Sequence, residues 1–168
     1  ARVLFDKIYV EILREFKPPV VSFHFGLPTD DLVRYVRSWG AKIMSSATTV
    51  EEAVWLEQNG VDIVIAQGVE AGGHRGMFLT DDLTTQMGTL PLVSRIIDAV
   101  QIPVVAAGGI VDAKSVAAMM ALGAAGVQVG TAYLLCTEAK TSQVHRAALK
   151  GELDGVKPEH TALTNLFS

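Results

Sequence analysis

The sequence predicts an α/β domain built on a parallel sheet, and two observations carry that prediction. Short apolar runs rich in Val and Ile recur along the chain, each followed by small or polar residues and then a helical pattern. The runs are continuous instead of strictly alternating, as in strands covered on both faces, and strands that alternate with helices form parallel βαβ units. Most units repeat in about 20 residues, as barrel or doubly wound units do.

The elements follow in order. Leu4, Ile8, Ile12 and Phe16 fall at helical spacing, and Pro18-Pro19 stops that amphipathic helix. The first strand run is Val20 to Phe25, followed by a helix from about Asp30 that ends near Gly40. The second run is Ala41 to Met44; Thr49-Val50-Glu51-Glu52 then reads as a capping box opening a helix that ends at Gly60. The third is Val61 to Ala66. A stretch from Gln67 to Gly88 intervenes before a helix from about Leu90 to Val100. The fourth run is Pro103 to Ala106, with Asp112 as N-cap of a helix that passes Met120 to Gly123. The fifth is Gly126 to Leu135, then a helix around Val144 to Leu149. No composition shift or linker interrupts the five units, so residues 1–168 are expected to belong to one domain.

Composition excludes several classes of function. With 14 Lys and Arg against 18 Asp and Glu, and no basic run, the chain lacks the clustered positive charge that nucleic acid or an anionic membrane requires. Cys136 is the sole cysteine, which rules out an internal disulfide and a Cys-rich zinc site. No apolar run approaches the roughly 20 residues of a membrane span, and no signal peptide is recognisable. A soluble protein of the reducing cytoplasm is the expectation.

Three segments could carry chemistry, each at the C-terminal end of an expected strand, where α/β proteins place their sites. The first is Gln67-Gly68-Val69-Glu70-Ala71-Gly72-Gly73-His74-Arg75-Gly76, which opens a long loop holding five glycines and three acidic residues. Glycine admits close ligand approach or positive φ, although a mobile surface loop with an incidental histidine has the same look. The second is Ala106-Ala107-Gly108-Gly109-Ile110, whose N–H groups beside a helix start form a phosphate site or, more simply, a tight βα turn. The third is Gln128-Val129-Gly130-Thr131. The last two follow consecutive strands, and in (β/α)-barrels a phosphate often binds between the loops after strands seven and eight.

The remaining candidates are weaker. His24, in Ser22-Phe23-His24-Phe25-Gly26, either lines the pocket or is buried and hydrogen-bonded. His145 is expected in solvent, His160 is assigned nothing, and Cys136 and the Met119-Met120 pair are expected in packing. No pair of histidines has metal-ligand spacing.

Together the segments at 67–76, 106–110 and 126–131 resemble the nitronate monooxygenases, formerly 2-nitropropane dioxygenases, as do Val20-Val21-Ser22-Phe23-His24-Phe25-Gly26 and Leu83 to Thr89. The resemblance implies a TIM (β/α)8 barrel, of which this chain supplies about the last five strand–helix units, truncated at its N-terminus and at its C-terminus. It implies FMN, held by Gln67, Gly72, Gly108, Gly109, Gln128, Val129, Gly130 and Thr131, with His74 as the catalytic histidine. The expected reaction is oxidative denitrification of nitronates or nitroalkanes with O2, yielding carbonyl compounds and nitrite. Two other readings stand beside it. A flavin-dependent enoyl-acyl-carrier-protein reductase shares the barrel and the Ala-Gly-Gly-His loop, and an inactive fragment could serve only as a structural or interaction module. Five strands leave two open sheet edges, which invite self-association.

Overall fold

The computed structural model describes residues 5–151. Five strands, β1 (Val20–Phe23), β2 (Lys42–Ala47), β3 (Ile63–Gln67), β4 (Val104–Ala107) and β5 (Gly126–Gln128), pair in parallel in the order of the chain. Six α-helices accompany them: α1 (Lys7–Phe16), α2 (Asp30–Arg37), α3 (Val50–Gln58), α4 (Thr89–Ala99), α5 (Ala113–Ala121) and α6 (Gln143–Leu149). Strand order that never reverses leaves no topological switch point, so this is an arc of a singly wound sheet and not a doubly wound one.

The register explains the core. Val21 pairs with Ile43, Val64 with Val104, and Ala47 with Ala66 and Ala66 with Ala106 in turn. These residues share one face and pack with Leu56, Leu92, Val93 and Ile96, all fully buried, from α3 and α4. The opposite face carries Val20, Lys42, Met44, Ile63 and Val105, which are exposed or half-buried. In a closed barrel that face is filled by side chains from every strand. An apolar groove of about 380 Å³ lies between α1 and β1 at one edge of the arc, and a more polar one of about 340 Å³ lies at the N-terminal end of β4, beside Ile97 and Gln101.

Several expectations need correction. β1 stops at Phe23 because Phe25 (φ 68°) and Gly26 (φ 84°) turn the chain. β2 runs on to Ala47, and β5 ends at Gln128 instead of Leu135. Residues Thr131–Leu135 form a 3-10 helix closed by Tyr133 N–H to Gly130 O, so an apolar run alone did not distinguish strand from turn. On α1 the stripe of Ile8, Ile12 and Phe16 is exposed, and Val10 is the buried residue; Leu4 lies outside the described residues. Met119 is buried but Met120 is 47% exposed, and Cys136 is exposed instead of packed. His145 is exposed, and His160 lies outside the described residues. No helix among the described residues is long and apolar enough to cross a membrane.

At the N-terminal side of the sheet, Asp62 accepts from Lys42 Nζ (3.0 Å), Arg37 (3.0 Å) and Ile43 N–H (2.9 Å), and Arg37 also reaches Gly60 O. Burial pushes this carboxyl up, but the Ile43 N–H and the two cations outweigh it and hold it below the ordinary carboxylate range. A depressed folded value stabilises above the unfolded value and is lost as pH falls through the folded one. Asp62→Asn should therefore lower the urea midpoint relative to wild type above about pH 5, and the gap should close below about pH 4, where the carboxyl protonates. A gap that persists unchanged to low pH would mean that the charge is irrelevant.

The end of β3 meets α4 so closely that a Cβ on Gly68 would collide with Thr89, including its backbone nitrogen at 2.5 Å. Gly68→Ala should cost about 1–3 kcal/mol by overpacking, read as a lower urea midpoint; an unchanged midpoint would show that the contact relaxes freely.

Candidate functional site

The C-terminal rim of the sheet gathers the residues that the sequence singled out. β3 ends at Gln67, and the chain then makes a long excursion before returning at α4. Its base is closed three ways. Gly68 N–H donates to Ala107 O (3.0 Å), Val69 N–H to Met87 O (3.0 Å), and the Glu70 carboxylate accepts from Thr89 N–H (2.8 Å) and Oγ1 (2.7 Å). A carboxylate at the first turn of α4 also meets the positive end of the helix dipole.

Within the loop His74 is held by its backbone. Its carbonyl accepts from Gln67 Nε2 (2.9 Å) and His24 Nε2 (3.0 Å), while Gln67 Oε1 accepts from Gly76 N–H (2.7 Å). An imidazole protonated at Nε2 fits both of these His24 contacts, because its Nδ1 then accepts from Ser46 Oγ at 3.0 Å. His24 is thus hydrogen-bonded, as one reading expected, but exposed instead of buried. The His74 imidazole is exposed too, edge-on to Phe25 with ring centroids 6.1 Å apart.

Arg75, half-buried, donates through one nitrogen to Gln67 O (2.9 Å) and Gly68 O (2.8 Å). Burial pulls its guanidinium below its ordinary value, and the carboxylates of Glu70 and Glu52 only partly offset that.

Glycines let the rim close. Gly108 (φ 123°) lies where a Cβ would stand 2.5 Å from Thr89 Oγ1 and 2.9 Å from Ala71 N, and Gly109 (φ 65°) sits against Glu70. A Cβ on Gly72 would stand 2.9 Å from Thr131 Oγ1, so the loops after β3 and β5 touch. Gly130 faces open space. Gln128 and Gly130 are exposed, and Val129 and Thr131 are half-buried. The structure therefore brings together Gln67, Gly72, His74, Gly108, Gly109 and Thr131, with Gln128–Gly130 leading into the same rim.

One detail departs from expectation. The N-terminus of α5 is satisfied by its own capping box: Asp112 accepts from Ser115 N–H (2.8 Å), and Ser115 Oγ from Val111 and Asp112 N–H, each at 3.1 Å. The Ser115 N–H and hydroxyl hold the Asp112 carboxyl below the usual range. A phosphate near Gly108-Gly109 would meet turn amides, with a carboxylate already seated at the helix start.

The sequence reading missed Glu52. Thr49 Oγ1 accepts from Glu52 N–H (3.2 Å), but the Glu52 carboxylate does not return to Thr49 as a capping box requires. It turns inward, fully buried, to Thr48 and to the backbone of Phe78 and Leu79. Thr48 immediately before the cap was the available signal, since it offers the carboxylate a competing donor.

Known proteins resemble this chain in sequence and in fold. Residues 4–168 match the family model described as nitronate monooxygenase. The nitronate monooxygenase of Pseudomonas aeruginosa is 45% identical over 163 residues, covering 97% of this chain and 45% of that protein. That of Paraburkholderia phytofirmans is 44% identical over 149 residues, covering 89% and 41%. The chain thus spans less than half the length of these relatives. Among solved structures, nitroalkane oxidase from Streptomyces ansochromogenes superposes with a TM-score of 0.79 at 43% identity, over 84% of this chain and 41% of that one. FabK from Thermotoga maritima gives 0.71 at 34% identity, over 84% and 42%. These neighbours are TIM-barrel enzymes, and the arc corresponds to part of such a barrel. With the match running from Leu4 to Ser168, the chain belongs to the nitronate monooxygenase family.

Proposed function

We propose that this chain forms the rim that binds flavin and carries the reacting histidine in an enzyme that oxidises nitronates or nitroalkanes with O2 to carbonyl compounds and nitrite. The observation that supports it most is His74, fixed through its carbonyl by Gln67 and His24 in a loop whose glycines let the rim close tightly.

The glycine rim fits a phosphorylated, planar cofactor. Gly130 faces open space, which leaves room for such a cofactor beside the β5 loop. Gly72, Gly108 and Gly109 let the neighbouring loops close on Thr131, Thr89, Ala71 and Glu70, and Thr131 brings a hydroxyl to the edge of Gly72. In this reading FMN is held by Gln67, Gly72, Gly108, Gly109 and Gln128 through Thr131. Gln67 commits both ends of its side-chain amide to the loop, so its part is to shape the wall. The flavin, when bound, supplies the electron acceptor and the route to oxygen.

The chain's own residues handle the proton. His74, whose ring is exposed, takes the α-proton of a nitroalkane to give the nitronate. Toward a nitronate already formed, a protonated His74 donates a charge-assisted hydrogen bond to the anion. Fixing the main chain keeps the ring in place against Phe25, and among the described residues no hydrogen bond engages either ring nitrogen. The proposed setting is cytoplasmic, with small nitronates and O2 as partners, no nucleic acid or membrane, and self-association through the open sheet edges.

Flavin retention is the first test. After FMN is added and the excess removed, flavin absorption near stoichiometric yield is expected from this chain; a colourless protein would mean that the rim needs the remainder of a barrel to hold it. In the flavin-loaded enzyme His74→Asn should lower turnover by about 10²–10⁴ with flavin retained, and unaltered turnover would remove His74 as the base. Anaerobic mixing separates the reductase reading: rapid bleaching by NADPH supports the reductase, whereas bleaching by a nitronate supports oxidative denitrification.

A further inference from the structure

We propose that Glu52 is a positioning residue for the reacting loop, holding its return limb and, through Phe78, the floor on which His74 stands. The inference rests on the reading of His74 as the reacting group, but its structural half can be tested without it.

A fully buried carboxylate is costly unless its lone pairs are met, and Glu52 meets four donors. Oε2 accepts from Thr48 N–H (2.7 Å) and Thr48 Oγ1 (2.8 Å); Oε1 accepts from Phe78 N–H (2.7 Å) and Leu79 N–H (3.2 Å). Among the described residues it makes no ion pair. Capping α3 would not require this arrangement, because Thr49 already accepts from the helix and an exposed glutamate could return the bond. The inward turn instead ties the loop to β2 and α3 across 26 and 27 residues of sequence.

The carboxylate also sets a direction. It has no hydrogen to give, so the Thr48 hydroxyl points toward it and accepts from Gln86 Nε2 at 3.1 Å. Glu52 thus grips the loop directly at 78–79 and indirectly at 86, near the point where the chain returns to α4. Among the described residues Gln86 Oε1 is left buried with no hydrogen-bond partner, as expected of a side chain oriented by a stronger demand at its other end.

The link to His74 runs through Phe78. Its ring lies 3.1 Å from where a Cβ on Gly26 would stand, and it packs against Trp55 with centroids 5.2 Å apart. Gly26 follows Phe25, whose ring meets His74 edge-on. Being wholly buried, Glu52 does not touch substrate.

The test compares Glu52→Gln and Glu52→Asp with Thr49→Ala, which removes only the N-cap bond of α3. Four donors cannot be satisfied by an amide, which places an NH2 where one oxygen was. Glu52→Gln should make the Phe78 and Leu79 amides exchange with D2O about ten-fold faster or more, with β3 and β4 still protected. In the flavin-loaded enzyme it should lower kcat by a similar factor with KM and flavin content nearly unchanged. Glu52→Asp, which keeps the charge on a shorter arm, should recover part of both. Thr49→Ala should lower Tm and leave loop exchange and kcat at wild-type values. If a variant fails to fold, the wild-type chain still decides: slow exchange at Phe78 and Leu79 is required, and exchange at free-loop rates overturns the proposal. It is equally overturned if Glu52→Gln behaves as Thr49→Ala does, or if loop protection is lost while kcat holds. Loss of loop protection, combined with full turnover in His74→Asn, would uphold the grip on the loop and discard the positioning role together with the base.

Discussion

The rim depends first on the side-chain amide of Gln67. A chain that leaves a strand for some twenty residues must find partners for its backbone groups, or hold them in water. Gln67 ends β3, is 7% exposed, and offers one donor and one acceptor spaced as in a peptide bond. It gives the donor to His74 O and takes Gly76 N–H on the acceptor, so residues 74–76 are paired as if with another strand. His74 therefore has a fixed main chain without belonging to any regular element, and its ring stands exposed against Phe25.

Charge is distributed around that anchor by the same logic. Carboxylates sit where N–H groups need acceptors: Glu70 at the first turn of α4, and Glu52 at Thr48, Phe78 and Leu79. The guanidinium of Arg75 sits where carbonyls need donors, at the C-terminal end of β3. Each charged group is used on backbone, and the three lie close enough for both acids to act on Arg75. Partly buried charge is tolerable under these conditions because hydrogen bonds to charged groups are stronger than neutral ones, and the loop gains a fixed shape with little apolar core of its own.

What could be read from the sequence divides along physical lines. Each apolar run located a strand, although one face of the sheet is only partly buried among the described residues, and Gly40, Gly60 and Gly123, all at positive φ, punctuate the helix ends where expected. The run through Leu135 misled because a short 3-10 helix can draw on a similar set of side chains. The glycines at 72, 108 and 109 were legible as points of close approach, and what approaches them is the chain itself, at Thr131, Thr89, Ala71 and Glu70, as the tight-turn alternative also requires. Side-chain commitments were not legible. Thr49 and Glu52 spell a capping box, but Thr48 and the 78–79 backbone take the carboxylate from Thr49, and sequence spacing contains nothing about a competitor 26 residues away.

The rim and the body of the arc also differ in what they require from elsewhere. The inner face of the sheet is half open at Val20, Met44, Ile63 and Val105, and α1 shows Ile8, Ile12 and Phe16 to solvent. Filling that face calls for inward side chains from more strands than are present, because barrel layers draw on alternate strands around the whole ring. The bonds that shape the rim make no such demand. The hydrogen bonds that fix His74, Arg75, Glu70 and Glu52 join residues between His24 and Thr89, and the glycine contacts extend that set only to Thr131. Stability of the arc and geometry of its rim are therefore separable: additional strands would be needed to bury apolar surface, whereas the loop that carries His74 is organised by residues already in this chain.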